Sequence, residues 1–175
     1  MHTFISLRCV LILLAAGALA ACDWAGAPHY TGTGMEMFGP VAMRLHPLSR
    51  VVPPPSTAPA TAPASPQGTV VEARLELTDQ FGDIGKGVGD VILEVDQYDV
   101  LSFDHRGHRI GQWTFDLTTA DKNRLQWDSI TRTYLFKLPT SAGAIGADAK
   151  HVVLAATFVL PNSSKLTDQM TLNLK

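Results

Sequence analysis

The feature that most constrains the fold is a strict alternation of apolar and polar residues that recurs along the chain after Gly68. From Val71 to Leu77 every second residue is apolar, and the residues between are Glu72, Arg74 and Glu76. Successive side chains of a β-strand point to opposite faces of a sheet, so this pattern predicts a strand with one buried and one solvated face. The same alternation predicts further strands at 91–95, 113–117, 134–138 and 170–174.

Two other segments complete the predicted architecture. The stretch from His151 to Leu160 is apolar on both faces, which is typical of a central strand that is covered on both sides. The helix signal of the mature chain begins at Thr118, a candidate N-cap, and ends near Leu125. Six or seven strands without βαβ spacing predict an all-β fold, an antiparallel β-sandwich, with a small closed barrel as the rival.

Composition divides the chain into three predicted parts. Residues 1–21 are predicted to be a signal peptide, residues 22–68 a tether, and residues 69–175 the β-sandwich domain. Within the tether, residues 41–46 alternate like a strand, and residues 53–68 form a spacer rich in Pro, Ala, Ser and Thr that is predicted to be disordered. If the early strand paired with the sandwich, the spacer would be an internal loop and not part of a stalk.

The N-terminal segment carries a specific processing signal. Arg8 precedes an apolar run that is too short to span a bilayer, and the run ends in the sequence LAAC, residues 19–22. This arrangement resembles the lipobox of bacterial lipoproteins, in which the cysteine is acylated and becomes the new N-terminus. The resemblance implies that Cys22 joins the protein to a lipid bilayer, at the cell membrane or the outer membrane, facing the periplasm or the exterior.

Charge and cysteine content narrow the classes of function. Without the signal peptide the chain has thirteen basic and sixteen acidic side chains, and this negative balance argues against a nucleic-acid partner. Of its two cysteines, Cys9 lies in the signal peptide and Cys22 is the predicted lipidation site. No thiol is then left for a disulfide, a metal site or a nucleophile.

Acidic loops suggest one metal site. The loop LTDQFGD after a predicted strand, and the acidic residues near turns, resemble those of C2-like and immunoglobulin-like sandwich domains. If the chain formed a meander with a strand at 100–104, four aspartates would meet at one end of the sandwich, as oxygen ligands do in calcium sites. The predicted calcium ligands are Asp79, Asp83, Asp104 and Asp148. Neither the EF-hand nor the P-loop spacing is matched by this loop, and no other cofactor is predicted.

Histidine and aromatic residues give weaker candidates. His105 and His108 have a zinc-like spacing, but they fall on a predicted turn in which Gly107 is expected to adopt a positive φ, so exposed turn histidines are the favoured interpretation. Trp113 alternates with core residues and is expected to be buried. Trp127 lies in an irregular segment and is the better candidate for a sugar platform.

These observations favour a non-enzymatic function. We expect a membrane-anchored envelope lipoprotein that presents a β-sandwich as a binding or structural module, with a protein or glycan partner that the sequence does not identify. The segments RLHPLSR and GDIGKGVG resemble those of uncharacterised bacterial lipoproteins, which implies no activity. No catalytic residue is predicted. A calcium-dependent C2-like domain and an enzyme-associated subunit are the alternatives.

Overall fold

The computed structural model describes residues 38–53 and 67–174. The predicted signal peptide, Cys22 and most of the Pro-rich spacer therefore lie outside the described residues. The elements, in chain order, are β1 (Ala42–Leu45), β2 (Arg50–Val52), β3 (Gln67–Thr78), β4 (Ile84–Gly85), β5 (Asp90–Tyr98), β6 (Arg106–Asp116), α1 (Ala120–Gln126), β7 (Trp127–Asp128), β8 (Thr133–Ser141), β9 (His151–Val159) and β10 (Lys165–Asn173).

The strands form two sheets. The first has the order β1-β3-β8-β7, with β2 and β4 also paired to β3, and the second has the order β10-β9-β5-β6. All of the strand pairs are antiparallel. The predicted antiparallel β-sandwich is thus confirmed, and the closed barrel is wrong.

The core lies between the two sheets and is built from the alternating positions. Val71, Ala73, Leu75 and Leu77 of β3 are all buried. Burying such side chains contributes about 1.5–3 kcal/mol for each large one, so the alternation accounts for much of the driving force of folding. Strand β9 lies between β10 and β5, and its residues 152–156 are buried on both faces, which confirms the predicted central strand.

The early alternating segment belongs to the sandwich. Residues 42–45 pair with residues 75–78 of β3, and the short strand β2 pairs with residues 70–72 of the same strand. At twelve residues, β3 is long enough to accept both strands along one edge. The early strand therefore belongs to the sandwich, which is the alternative that the sequence left open. The Pro-rich segment then connects β2 and β3, two strands of one sheet.

The short helix α1 follows β6. Its N-cap is Thr119, one residue later than predicted, and the Thr119 hydroxyl accepts a hydrogen bond from the Lys122 amide. Thr118 instead donates its amide and hydroxyl hydrogens to Asp116 Oδ1. The Thr118 side chain is therefore engaged by the end of β6 and is not free to cap the helix.

The sandwich has two ends that the strands separate. The proximal end is formed by residues 38–41, the loop 79–89, α1, the turn 129–132 and the β9–β10 turn, residues 160–164. The distal end is formed by the β5–β6 loop, residues 99–105, and by the β8–β9 loop, residues 142–150. The nine residues of β5 run from one end to the other and span about 30 Å at about 3.3 Å per residue.

Candidate functional site

The four predicted calcium ligands do not come together. Asp79 and Asp83 lie at the proximal end, whereas Asp104 and Asp148 lie in the two loops of the distal end. The cause is the segment 100–104, which is part of a single turn between β5 and β6 and not a strand. Within the described residues, no three His, Cys, Asp or Glu side chains are grouped closely enough to hold a metal ion. The calcium hypothesis in its predicted form is therefore wrong.

Two of these aspartates form turns instead. Asp79 Oδ1 accepts hydrogen bonds from the Phe81 and Asp83 amides, both at 2.9 Å. Asp104 Oδ1 accepts from the Ser102 hydroxyl at 2.6 Å and from the Arg106 amide at 3.1 Å. These hydrogen bonds hold the pKa of Asp104 below its ordinary value, and the bond from Ser102 has the largest effect. Both carboxylates thus have a local structural role.

His105 and His108 are not arranged as a metal site requires. His105 adopts the left-handed conformation, with φ of 59°, and its ring stacks on Tyr98 at 5.0 Å between centroids. Gly107 does not have a positive φ, so that prediction is wrong. His108 follows on β6 and is exposed, as expected. His151 approaches Tyr98 at 5.4 Å, so Tyr98 contacts two histidine rings at the distal end.

The most exposed apolar residues of the distal end lie in the β5–β6 loop. Val100, Leu101 and Phe103, here called the distal tip, are 74, 95 and 104% exposed. A fully exposed phenylalanine offers about 150–250 Å² of apolar surface to a partner. Contiguous apolar surface of this kind on a folded domain marks interaction sites. The distal tip is therefore a candidate binding surface.

Polar groups of the same loop hold the distal tip in place. The Asp99 amide donates to the His105 carbonyl at 2.9 Å, and the Leu101 amide donates to Asp99 Oδ1 at 2.9 Å. From the second sheet, Gln169 Nε2 donates to the Asp104 carbonyl at 3.3 Å. The tip is thus displayed by an ordered turn, which lowers the conformational entropy that a partner must remove on binding.

An open groove and an ion-pair network flank the tip. The groove is lined by residues that include Tyr98, Val100, Ile110, Ile145 and Lys150. On the neighbouring strands Arg106 pairs with Glu94 and Asp96, and Arg109 Nη2 lies 2.7 Å from Glu94 Oε1. The Asp96 side chain is 3% exposed, so its charge is compensated by these arginines. This network fixes the base of the β5–β6 hairpin.

The distal tip was missed from the sequence. Its residues lie in the stretch YDVLSFDHRGH, where the apolar residues Val100 and Leu101 led to the prediction of a strand. The available signal was the spacing of Asp99, Ser102 and Asp104, three turn-forming residues within six positions. Val100, Leu101 and Phe103 lie between or beside these turn formers and are exposed.

At the proximal end a buried polar network fastens the 79–89 loop to the core. Tyr134 Oη accepts a hydrogen bond from the Gly87 amide at 3.0 Å and donates to Asn123 Oδ1 at 3.0 Å. Asn123 Nδ2 donates to the Gly87 carbonyl at 2.6 Å. Burial raises the pKa of the Tyr134 hydroxyl, so it stays protonated and able to donate.

The predicted aromatic platform is only partly accessible. Trp127 is half-buried, with its ring edge-on to Tyr134 at 5.1 Å between centroids. Lys86 Nζ lies 5.3 Å from the Trp127 ring centroid, so a cation–π contact occupies the indole. Trp113 packs partly buried against the core. Trp127 also lines an open groove with Phe115 and Leu125, so part of its side chain remains accessible.

In comparisons with known proteins, no family model, no curated protein and no solved structure matches the chain. Of the helices in residues 38–53 and 67–174, none has the length and apolar character needed to cross a membrane.

Proposed function

We propose that the chain is an envelope lipoprotein, anchored through acylated Cys22, whose β-sandwich is a non-enzymatic binding module. The observation that carries the proposal is the lipobox at residues 19–22, ahead of a folded domain whose first described residues lie at its proximal end. The distal tip lies about 30 Å away, at the opposite end of β5. The surface that we propose for partner binding is therefore held away from the site of anchoring.

The use of the acidic residues supports a binding module over an enzyme. Asp79 and Asp104 accept hydrogen bonds within their own turns, and Glu94 and Asp96 are paired with arginines. These hydrogen bonds and ion pairs give each of the four carboxylates a structural role in a turn or at the base of a hairpin. The separation of the four aspartates removes the support for a calcium-dependent mode of binding.

The anchor is tested by fractionating cells that express the Cys22→Ser variant. We expect the wild-type protein in the membrane fraction with incorporated acyl chains, and the variant in the soluble fraction with unchanged thermal unfolding. A variant that stays wholly in the membrane fraction would contradict the lipid anchor.

Partner binding is tested by photo-crosslinking in intact cells, with a photoreactive residue in place of Leu101. The control places it at Leu48, which is 52% exposed on the connection between β1 and β2. We expect a crosslinked product from position 101 and none from position 48. Phe103→Ser is expected to abolish the crosslinked product from position 101. Because Phe103 is fully exposed, this substitution should not lower the urea midpoint. Equal crosslinking from both positions would contradict the proposed binding surface.

A further inference from the structure

The proximal end carries a second set of exposed apolar side chains that the proposed partner-binding surface does not include. They come from four segments: residues 38–41, the 79–89 loop, α1 and the turn 129–132. The six residues are Phe38, Val41, Phe81, Val88, Leu125 and Ile130, which are 51–92% exposed. Apolar exposure on this scale at one end of a small domain marks a contact surface.

Specific contacts join these segments into one surface. The rings of Phe38 and Phe81 lie 6.2 Å apart between centroids. Arg132 Nη2 donates to the Ile84 carbonyl at 2.6 Å and so ties the turn 129–132 to the 79–89 loop, while Asn123 ties α1 to Gly87. The segments that carry the apolar side chains are therefore fastened to one another, and the rings of Phe38 and Phe81 form a contiguous apolar pair.

The path of the chain places this surface close to the proposed anchor. Fifteen residues separate Cys22 from Phe38, which itself belongs to the surface. Even fully extended, this segment spans no more than about 55 Å. A surface joined to its target by such a short connection meets it at an effective concentration on the order of millimolar, so a weak contact suffices. The distal tip lies about 30 Å farther along the sandwich.

The charges around the surface define the kind of contact. Asp79 and Asp83 lie in the same loop as Lys86, and Arg132 lies beside them. Positive and negative side chains are thus both present, so electrostatic attraction to an anionic surface does not account for a contact made by the apolar side chains. Phenylalanine and leucine side chains enter the boundary between headgroups and acyl chains of a bilayer without a requirement for net charge.

From these observations we infer that the proximal end docks on the surface of the bilayer that holds acylated Cys22, with Phe38 and Phe81 entering the headgroup region. This inference rests on the proposed lipid anchor. It sets the orientation of the domain, with the proximal end on the membrane and the distal tip pointing away from it.

The test uses the full-length acylated protein in phosphatidylcholine vesicles with brominated acyl chains. Processing removes Cys9 and acylation consumes the thiol of Cys22, so a Val88→Cys substitution supplies the single free thiol for a fluorophore. The matched reporter is Leu101→Cys at the distal tip. We expect several-fold stronger fluorescence quenching by the brominated chains at position 88 than at position 101. In the double variant Phe38→Ser with Phe81→Ser, the quenching at position 88 is expected to fall to the level of position 101.

A control variant, Val100→Ser with Phe103→Ser, is expected to leave the quenching at position 88 unchanged. Acylation is measured by mass in the same samples, so that failure of the anchor is distinguished from failure of docking. An acylated protein that floats with vesicles but shows equal quenching at both positions overturns docking while the anchor stands. A chain without acyl groups overturns both. Concentration-dependent self-association without quenching at position 88 assigns the surface to a second copy and also overturns docking.

Discussion

The loops at the two ends of the sandwich are stabilised in different ways. The proximal loop, residues 79–89, is fastened to the core by the buried hydrogen bonds of Tyr134 and Asn123. The distal loop, residues 99–105, is held mostly by its own aspartates, and Gln169 adds one hydrogen bond from the second sheet. Substitutions that disturb the buried contacts of the proximal loop at Gly87 and Gly89 should therefore destabilise the whole domain. Substitutions at exposed positions of this loop, such as Phe81 and Val88, and in the distal loop should be tolerated.

This difference matches the roles proposed for the two ends. A loop that is hydrogen-bonded to the core keeps its exposed side chains in a fixed position relative to the domain. A loop that is stabilised by its own turn is free to present Val100, Leu101 and Phe103 without a cost to the core, because these side chains contribute little burial in the folded domain.

The largest expected effect comes from Gly89→Ala. A Cβ atom at Gly89 would lie 2.2 Å from the Val159 carbonyl oxygen, which is fixed because Val159 pairs with both β5 and β10. Backbone displacement and strain at this site are expected to cost about 3 kcal/mol of the free energy of unfolding. Urea denaturation followed by circular dichroism measures this change.

The matched control is Gly143→Ala at the distal end. Gly143 has a φ of 77°, but no atom lies within 4 Å of the added Cβ position. Only the left-handed conformation opposes the alanine, and we expect a loss of about 1 kcal/mol. Equal losses for the two variants would contradict the proposed difference between the ends.

The second prediction concerns Tyr134→Phe. Removal of the hydroxyl leaves the buried Gly87 amide and Asn123 Oδ1 without this partner, which is expected to cost about 1–3 kcal/mol of the free energy of unfolding. The comparison variant is Tyr98→Phe, whose ring stacks on His105 at the distal end. Among the described residues the Tyr98 hydroxyl has no hydrogen bond, so we expect less than about 0.5 kcal/mol for it. Similar values in urea denaturation would show that the proximal network is not what stabilises the loop.

The inward faces of the strands were predictable because they depend on local order alone. The prediction of a solvated outward face was wrong at Glu76, which is 4% exposed and is paired with Arg44 of β1. The alternation from Val71 to Leu77 needs no knowledge of which strand lies beside it, and the doubly apolar run from His151 to Leu160 directly indicates a covered strand. The pairing of β1 with β3 was not predictable in the same way. It joins residues on opposite sides of the Pro-rich segment, and alternation does not specify a distant partner.

The error at the aspartates has a simple geometric origin. Each antiparallel strand reverses the direction of the chain, so one strand too many moves every later loop to the opposite end of the sandwich. Val100 and Leu101 were assigned to a strand at 100–104, and this placed Asp104 beside Asp79 in the prediction. In the structure the segment is a turn, and the two carboxylates lie in loops at opposite ends of β5. A site built from several loops is therefore more sensitive to the number of strands than the core is.

The smallest expected effect is a dependence on pH that differs between the ends. At the proximal end, Arg74 Nη1 donates to Asp128 Oδ2 at 2.9 Å, and this hydrogen bond, with others from Thr131 and the Ile130 amide, lowers the pKa of Asp128 to about 2. An unfolded aspartate has a pKa of about 3.9. The Asp128 carboxylate therefore stabilises the fold fully above about pH 4, and its contribution is lost as the pH falls towards about 2.

We expect Asp128→Asn to lower the urea midpoint at neutral pH, and the difference from wild type to disappear as the medium is acidified through this range. High salt should reduce the difference, because Arg74 and Asp128 are ionised and partly exposed. At the distal end the pKa of Asp104 is lowered chiefly by the neutral Ser102 hydroxyl, so the effect of Asp104→Asn should depend little on salt. The measurement is the urea midpoint of each variant as a function of pH, at low and at high salt. Equal salt sensitivity of Asp128→Asn and Asp104→Asn would mean that Asp128 is not stabilised by its ion pair with Arg74 of β3.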